Sequence, residues 1–114
     1  MTFGMVVRLP VTGTFGTDEE FDLRARLERD FNSALIAERA GECGLGETEA
    51  GVTSVYLETV TEPSNALRIV QGVLARHNLL NRATVLLETP SEDDPDDIER
   101  RVLWPVAQPS ARVA

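Results

Sequence analysis

Apolar and polar positions alternate at the start of the chain. Phe3, Met5, Val7, Leu9 and Val11 share one face of an extended segment, and Val6, Arg8 and Pro10 share the other. A period of two predicts a strand over residues 3–11. Thr12 to Gly16 reads as a loop. Thr17-Asp-Glu-Glu20 then matches a capping box, with acids placed against the positive end of a helix. The period changes to that of a helix: Leu23, Leu27, Phe31, Ala34 and Leu35 form one stripe, and Arg26, Arg29, Asp30 and Ser33 lie opposite. This predicts a helix over residues 18–40, with Gly41 positioned as its left-handed cap.

Val52 to Val60 is β-branched and alternating, with Val55 and Leu57 on one face and Ser54, Tyr56 and Glu58 on the other. Thr61-Glu62-Pro63 opens a second helix over residues 63–77. Its apolar face carries Leu67, Val70, Val73 and Leu74, with Ile69 beside them, and Asn78 or the following Leu79-Leu80-Asn81 turn ends it. Residues 83–88 predict a strand with Val85 and Leu87 inward, and residues 89–97 a polar loop. A last strand is expected over residues 98–106, where Val102, Trp104 and Val106 alternate against Leu103. From Gln108 the chain carries no pattern and reads as a flexible tail.

Between the first helix and the Val52 strand lie four of the chain's eight glycines, Gly41, Gly44, Gly46 and Gly51. As a plain loop this segment gives the order β-α-β-α-β, but it is longer than such a connection usually is. With a short strand over residues 42–45 and a turn over 46–51, the order becomes β-α-β-β-α-β, the split βαβ arrangement. Right-handed crossovers then put both helices on one face of an antiparallel sheet, which suits two helices with one apolar stripe each. The second reading is favoured: an α+β, ferredoxin-like two-layer sandwich with a C-terminal extension. With these elements and Gly41, Glu42, Gly44, Gly46 and Glu47, the chain resembles small bacterial ferredoxin-like proteins over residues 3–90. That resemblance implies a fold and carries over no functional residue.

Composition narrows the function classes. The chain has 114 residues, 42% of them hydrophobic and 26% charged. These values predict one globular domain over residues 1–107, its core at 3–90 and an extension at 91–107. All eleven basic residues are arginine, so Schiff-base lysine chemistry and a lysine-dependent phosphate loop are excluded for this chain. The single histidine, His77, rules out a multi-histidine zinc site within one protomer. A net charge of −8 opposes nucleic acid as a partner. No apolar run reaches the ~20 residues that span a membrane, and the N-terminus lacks the pattern of a signal peptide. With one cysteine and no intrachain disulfide, a cytoplasmic setting is expected.

Candidate chemistry is thin. The glycine cluster follows a helix instead of opening one, and Glu42, Glu47 and Glu49 would repel phosphate. Cys43 lies in acidic sequence, which disfavours a reactive thiol, and a Cys43–His77 pair has no orienting third group. The acidic run from Glu92 to Glu99 lacks the spacing of an EF-hand loop. Glu42, Glu47, Glu58 and Glu88 are candidate paired carboxylates. No metal and no cofactor is expected.

Attention therefore moves to the sheet face without helices, which carries Val6, Arg8, Tyr56, Glu58, Thr84, Leu86 and Glu88. Two uses are expected of it. In the first, favoured, the domain is a non-catalytic interaction or homodimerisation module, with Val6, Tyr56 and Leu86 central and Trp104 as an anchor. In the second it holds a small molecule, as a regulatory domain or small enzyme, using Arg8, Tyr56, Glu58, Arg82 and Glu88. A third arrangement has residues 98–106 cover the sheet of their own protomer, with Trp104 in the core.

Overall fold

The alternation in Phe3–Pro10 makes that segment the centre of the sheet, because Met5, Val7 and Leu9 on one face and Val6 on the other are all buried. In the computed structural model, which describes residues 2–90 and 97–105, this strand is β1. It is followed by α1 (Asp18–Ala37), β2 (Glu42–Cys43), β3 (Glu47–Glu49), β4 (Val52–Val60), α2 (Pro63–Arg76), β5 (Thr84–Pro90) and β6 (Ile98–Trp104). The sheet has six strands in the order β2-β4-β1-β5-β6, with β3 also paired to β4. Every pairing is antiparallel. The chain is thus a mixed α+β structure; the strand expected over residues 98–106 is β6, and β3 is the one strand beyond the expected set.

Both helices cover one face. Met5, Val7, Leu9, Val55, Leu57, Val85 and Leu87 from alternate sheet positions share a single buried cluster with Leu27, Phe31 and Leu35 of α1 and Ala66, Val70, Val73 and Leu74 of α2. The expected stripes are the ones buried. The capping box forms as expected, Thr17 accepting from the Glu20 amide and Glu20 from the Thr17 amide. No helix among the described residues is long and apolar enough to cross a membrane.

The end of α1 differs from expectation. Gly41 is not the cap. Arg39 takes the left-handed conformation at φ 54°, and the Arg39 and Ala40 amides donate to the Ile36 and Leu35 carbonyls at 3.1 and 2.9 Å. This is a Schellman cap with an arginine where glycine is usual. Asn78 plays the same part after α2, at φ 59°, with Leu79 donating to the Leu74 carbonyl at 2.9 Å. A side chain in the left-handed region costs roughly 1 kcal/mol. Arg39→Gly is expected to raise the unfolding free energy by about 0.5–1 kcal/mol in urea, with an unchanged m value.

The glycine segment also differs. Glu47–Glu49, expected within a turn, is a strand, and the turn is only Ala50-Gly51, at φ 52° and 80°. Both positive values fit a two-residue hairpin turn whose twist matches the flanking strands. β2 and β3 therefore divide one edge of β4 between them, β2 against Leu57 and Glu58 and β3 against Val52 to Ser54. The acidic stretch of residues 91–96, Val106 and the tail from residue 108 lie outside the described residues.

Candidate functional site

On the face opposite the helices, cross-strand register builds a row. Val6 stands between Tyr56 of β4 and Leu86 of β5, and Leu86 stands beside Val102 of β6. Val6 and Leu86 are 1% and 6% exposed, whereas Val102 is 53% exposed. The apolar row is thus closed at its centre and open at the β6 end. Tyr56 donates its hydroxyl to Glu47 at 2.7 Å. That bond, with burial and the glutamate charge behind it, pushes the phenol above its ordinary range.

The candidate ligand residues are distributed around this row. Arg8 and Tyr56 border one shallow hollow with Glu47. Glu58 and Glu88 border another with Gly4. Arg82 belongs to a different hollow, at the end of β1. Glu88 accepts from Arg100 Nε at 2.8 Å, and Glu42 lies directly opposite Glu58. Among the described residues no three His, Cys, Asp or Glu side chains are grouped to hold a metal ion.

Trp104 is on the helix side. A register shift between Val85 and Leu86 sets it opposite Val85, where it packs with Leu103 against the core. Its indole N–H donates to the Leu80 carbonyl at 2.9 Å. β6 thus extends the sheet sideways.

β6 is the most exposed strand. Ile98, Arg100 and Val102 point to the open face, in register with Pro90, Glu88 and Leu86, while Glu99 and Arg101 point to the helix face. Ile98 is 46% exposed. Among the described residues no strand pairs with its outer edge. The opposite edge of the sheet is made of the two short strands β2 and β3, interrupted by Gly44-Leu45-Gly46. An interrupted edge is a poor template for another strand, and a continuous one is a good template.

Sequence reasoning missed the ladder that fixes the interrupted edge. Arg24, Glu28 and Asn32 of α1 recur every four residues beside the apolar stripe. Arg24 Nη1 donates to the Thr48 hydroxyl at 3.2 Å, Glu28 accepts from the Gly46 amide, and Asn32 Oδ1 accepts from the Cys43 amide at 3.0 Å. Three polar residues at helical spacing, bordering the core and not opposite it, were the available signal.

Cys43 and His77 do not bond each other. The thiol donates to the Gly44 carbonyl at 3.3 Å, and His77 Nε2 lies 2.8 Å from Asp30 Oδ2, joining the end of α2 to α1. Burial, with Glu28 and Glu58 nearby, pushes the Cys43 thiol up to about 12. The native protein is therefore expected to resist iodoacetamide at pH 8, and to react readily once unfolded in urea. Because the folded value exceeds the unfolded one, the thiol's contribution to stability is complete below pH 9 and is lost as pH rises toward 12. Rapid native alkylation would contradict this environment.

Comparison of the chain with protein-family models, with curated proteins and with solved structures gives no match.

Proposed function

We infer that this chain is a self-association module, in which the outer edge of β6 pairs antiparallel with the same edge of a second copy. The observation that carries this is the self-complementary pattern of β6. With Arg100 on the twofold axis, Ile98 of each copy meets Val102 of the other on the open face. On the helix face, Glu99 of each copy meets Arg101 of the other. Both cross-strand pairings are favourable. Moving the axis to Arg101 would likewise oppose two arginines, and it would set Glu99 against Leu103 and Ile98 against Trp104. Charges on an edge usually repel foreign strands. Here the match of Glu99 with Arg101 accepts the in-register copy, and a shifted register loses it.

Arg100 occurs twice at the axis, but each guanidinium is already bonded to Glu88 at 2.8 Å. The joined sheets would make one continuous open face from β4 of one copy to β4 of the other, so Tyr56, Leu86 and Val102 belong to the same surface. Within each copy, the neighbouring order β2-β4-β1-β5 supports a ferredoxin-like core to which β3 and β6 are additions. An inert single cysteine fits a cytoplasmic setting. Sedimentation equilibrium tests the proposal: wild type is expected as a dimer at micromolar concentration and Val102→Asp as a monomer.

A further inference from the structure

A cleft opens where the C-terminal end of β1 meets the first turns of α1 and the connection from α2 to β5. Its walls are apolar, chiefly Leu9, Val11, Leu23, Leu27 and Leu79. It holds about 70 Å³, against roughly 10–15 Å³ for one water, so about five or six heavy atoms fill it. That is far below the volume of a nucleotide or drug-sized ligand.

Two arginines line this cleft, Arg24 and the exposed Arg82. Arg24 is held in place, its Cζ 4.9 Å from the centroid of the Phe21 ring and its Nη1 on the Thr48 hydroxyl. Its Nε–H is buried and, among the described residues, has no acceptor. Glu20, also on the cleft wall, does not supply one. Its carboxylate accepts from the Thr12 and Thr17 amides at 3.1 and 2.9 Å. These bonds, that to Thr17 first, hold its pKa below the ordinary value. The cleft's lining therefore carries two arginines against one glutamate, whose carboxylate is already bonded.

We propose that this cleft binds a short-chain monocarboxylate, its carboxylate on Arg24 and Arg82 and its hydrocarbon among Leu9, Leu23 and Leu79. The net single positive charge suits one carboxylate. Inorganic phosphate brings more charge toward Glu20 and has nothing to bury against the leucines. An alcohol of equal length fills the walls but offers the guanidinium no charge. None of these residues belongs to β6, so the site stands or falls apart from self-association.

Methyl-resolved NMR titration of the full chain tests it, with acetate, propionate, butyrate, octanoate and 1-butanol as probes. Affinity is expected to rise about fourfold per added methylene from acetate to butyrate. Octanoate, which overfills the cleft, is expected to bind more weakly than butyrate. Arg24→Gln should lower butyrate affinity by about tenfold or more. Because Arg24 also tethers β3, Arg82→Gln is the second variant; its side chain is exposed, and a loss of about threefold or more is expected with an unchanged melting temperature. The proposal is overturned by the absence of saturable shifts at Leu9, Leu23 and Leu79, by butanol binding as tightly as butyrate, or by wild-type affinity in Arg82→Gln.

Discussion

Gly46→Ala is expected to lower the unfolding free energy by about 3 kcal/mol, close to the effect of a large core truncation. A β-carbon at this position would lie 2.5 Å from the Ser54 carbonyl oxygen and 3.1 Å from Glu28 Oε2. The first neighbour is backbone of strand β4 and cannot turn aside. The added methyl must therefore push Gly44-Leu45-Gly46 away from β4. That displacement also breaks the bond from the Gly46 amide to Glu28, a charge-assisted bond worth roughly 1.5–3 kcal/mol. At Gly13 and Gly72 an added β-carbon would meet nothing within 4 Å. Gly72 is exposed within α2, so Gly72→Ala is the matched control and is expected to stabilise the helix by roughly 1 kcal/mol. Urea unfolding of both variants checks the pair. Equal effects at positions 46 and 72 would mean that the glycine segment is not held against β4.

The second large effect belongs to the proposed interface. Val102→Asp replaces a half-exposed apolar side chain with a charge, and in the proposed dimer it does so twice. Each copy loses the burial of Val102 against Ile98, worth roughly 1.5–3 kcal/mol for a fully buried side chain. Each carboxylate also loses solvent without gaining a partner. The dissociation constant is therefore expected to rise by about 100-fold or more. In the isolated chain the same residue is 53% exposed, so monomer stability should shift by only about 0.5 kcal/mol. A large effect on association with little effect on folding separates an interface residue from a core one. Guanidinium unfolding and sedimentation on the same samples measure both.

Much of this fold is legible in the sequence because its long elements obey one period each. Phe3–Pro10 and Val52–Val60 alternate, α1 and α2 carry one stripe each, and these patterns are the ones the core buries. The short elements are legible only in part: the strand expected over residues 42–45 is present as Glu42–Cys43, whereas Glu47–Glu49 reads as a turn. Glu42–Cys43 and Glu47–Glu49 are too brief to show a period, and their pairing is decided by Arg24, Glu28 and Asn32, remote in the chain. Arg39 caps α1 although Gly41 is nearby, because the six-residue hydrogen-bond pattern from Leu35 closes at Ala40, whose side chain is buried. Alternation alone also puts Trp104 on the face of Val102. The register shift between β5 and β6, one residue of β5 against two of β6, moves it to the helix side, and no local residue pattern announces that shift. The cleft joins β1, α1 and the α2–β5 connection, so only the tertiary structure brings Arg24 and Arg82 together.

A register-specific crosslink tests the proposed pairing most directly. Arg100→Cys puts one new thiol on the twofold axis, where opposed Cα atoms in an antiparallel pair are about 4.5–5.5 Å apart, within disulfide reach. Cys43 does not compete, since burial and its acidic neighbours push its thiol up to about 12. Glu99→Cys is the control, because position 99 faces position 101 of the second copy. Under mild oxidation, Arg100→Cys is expected to form a covalent dimer rapidly in buffer and slowly in urea, with Glu99→Cys remaining largely monomeric. A wild-type monomer whose Arg100→Cys variant does not crosslink, or equal crosslinking at positions 99 and 100, would contradict the proposed self-association through β6.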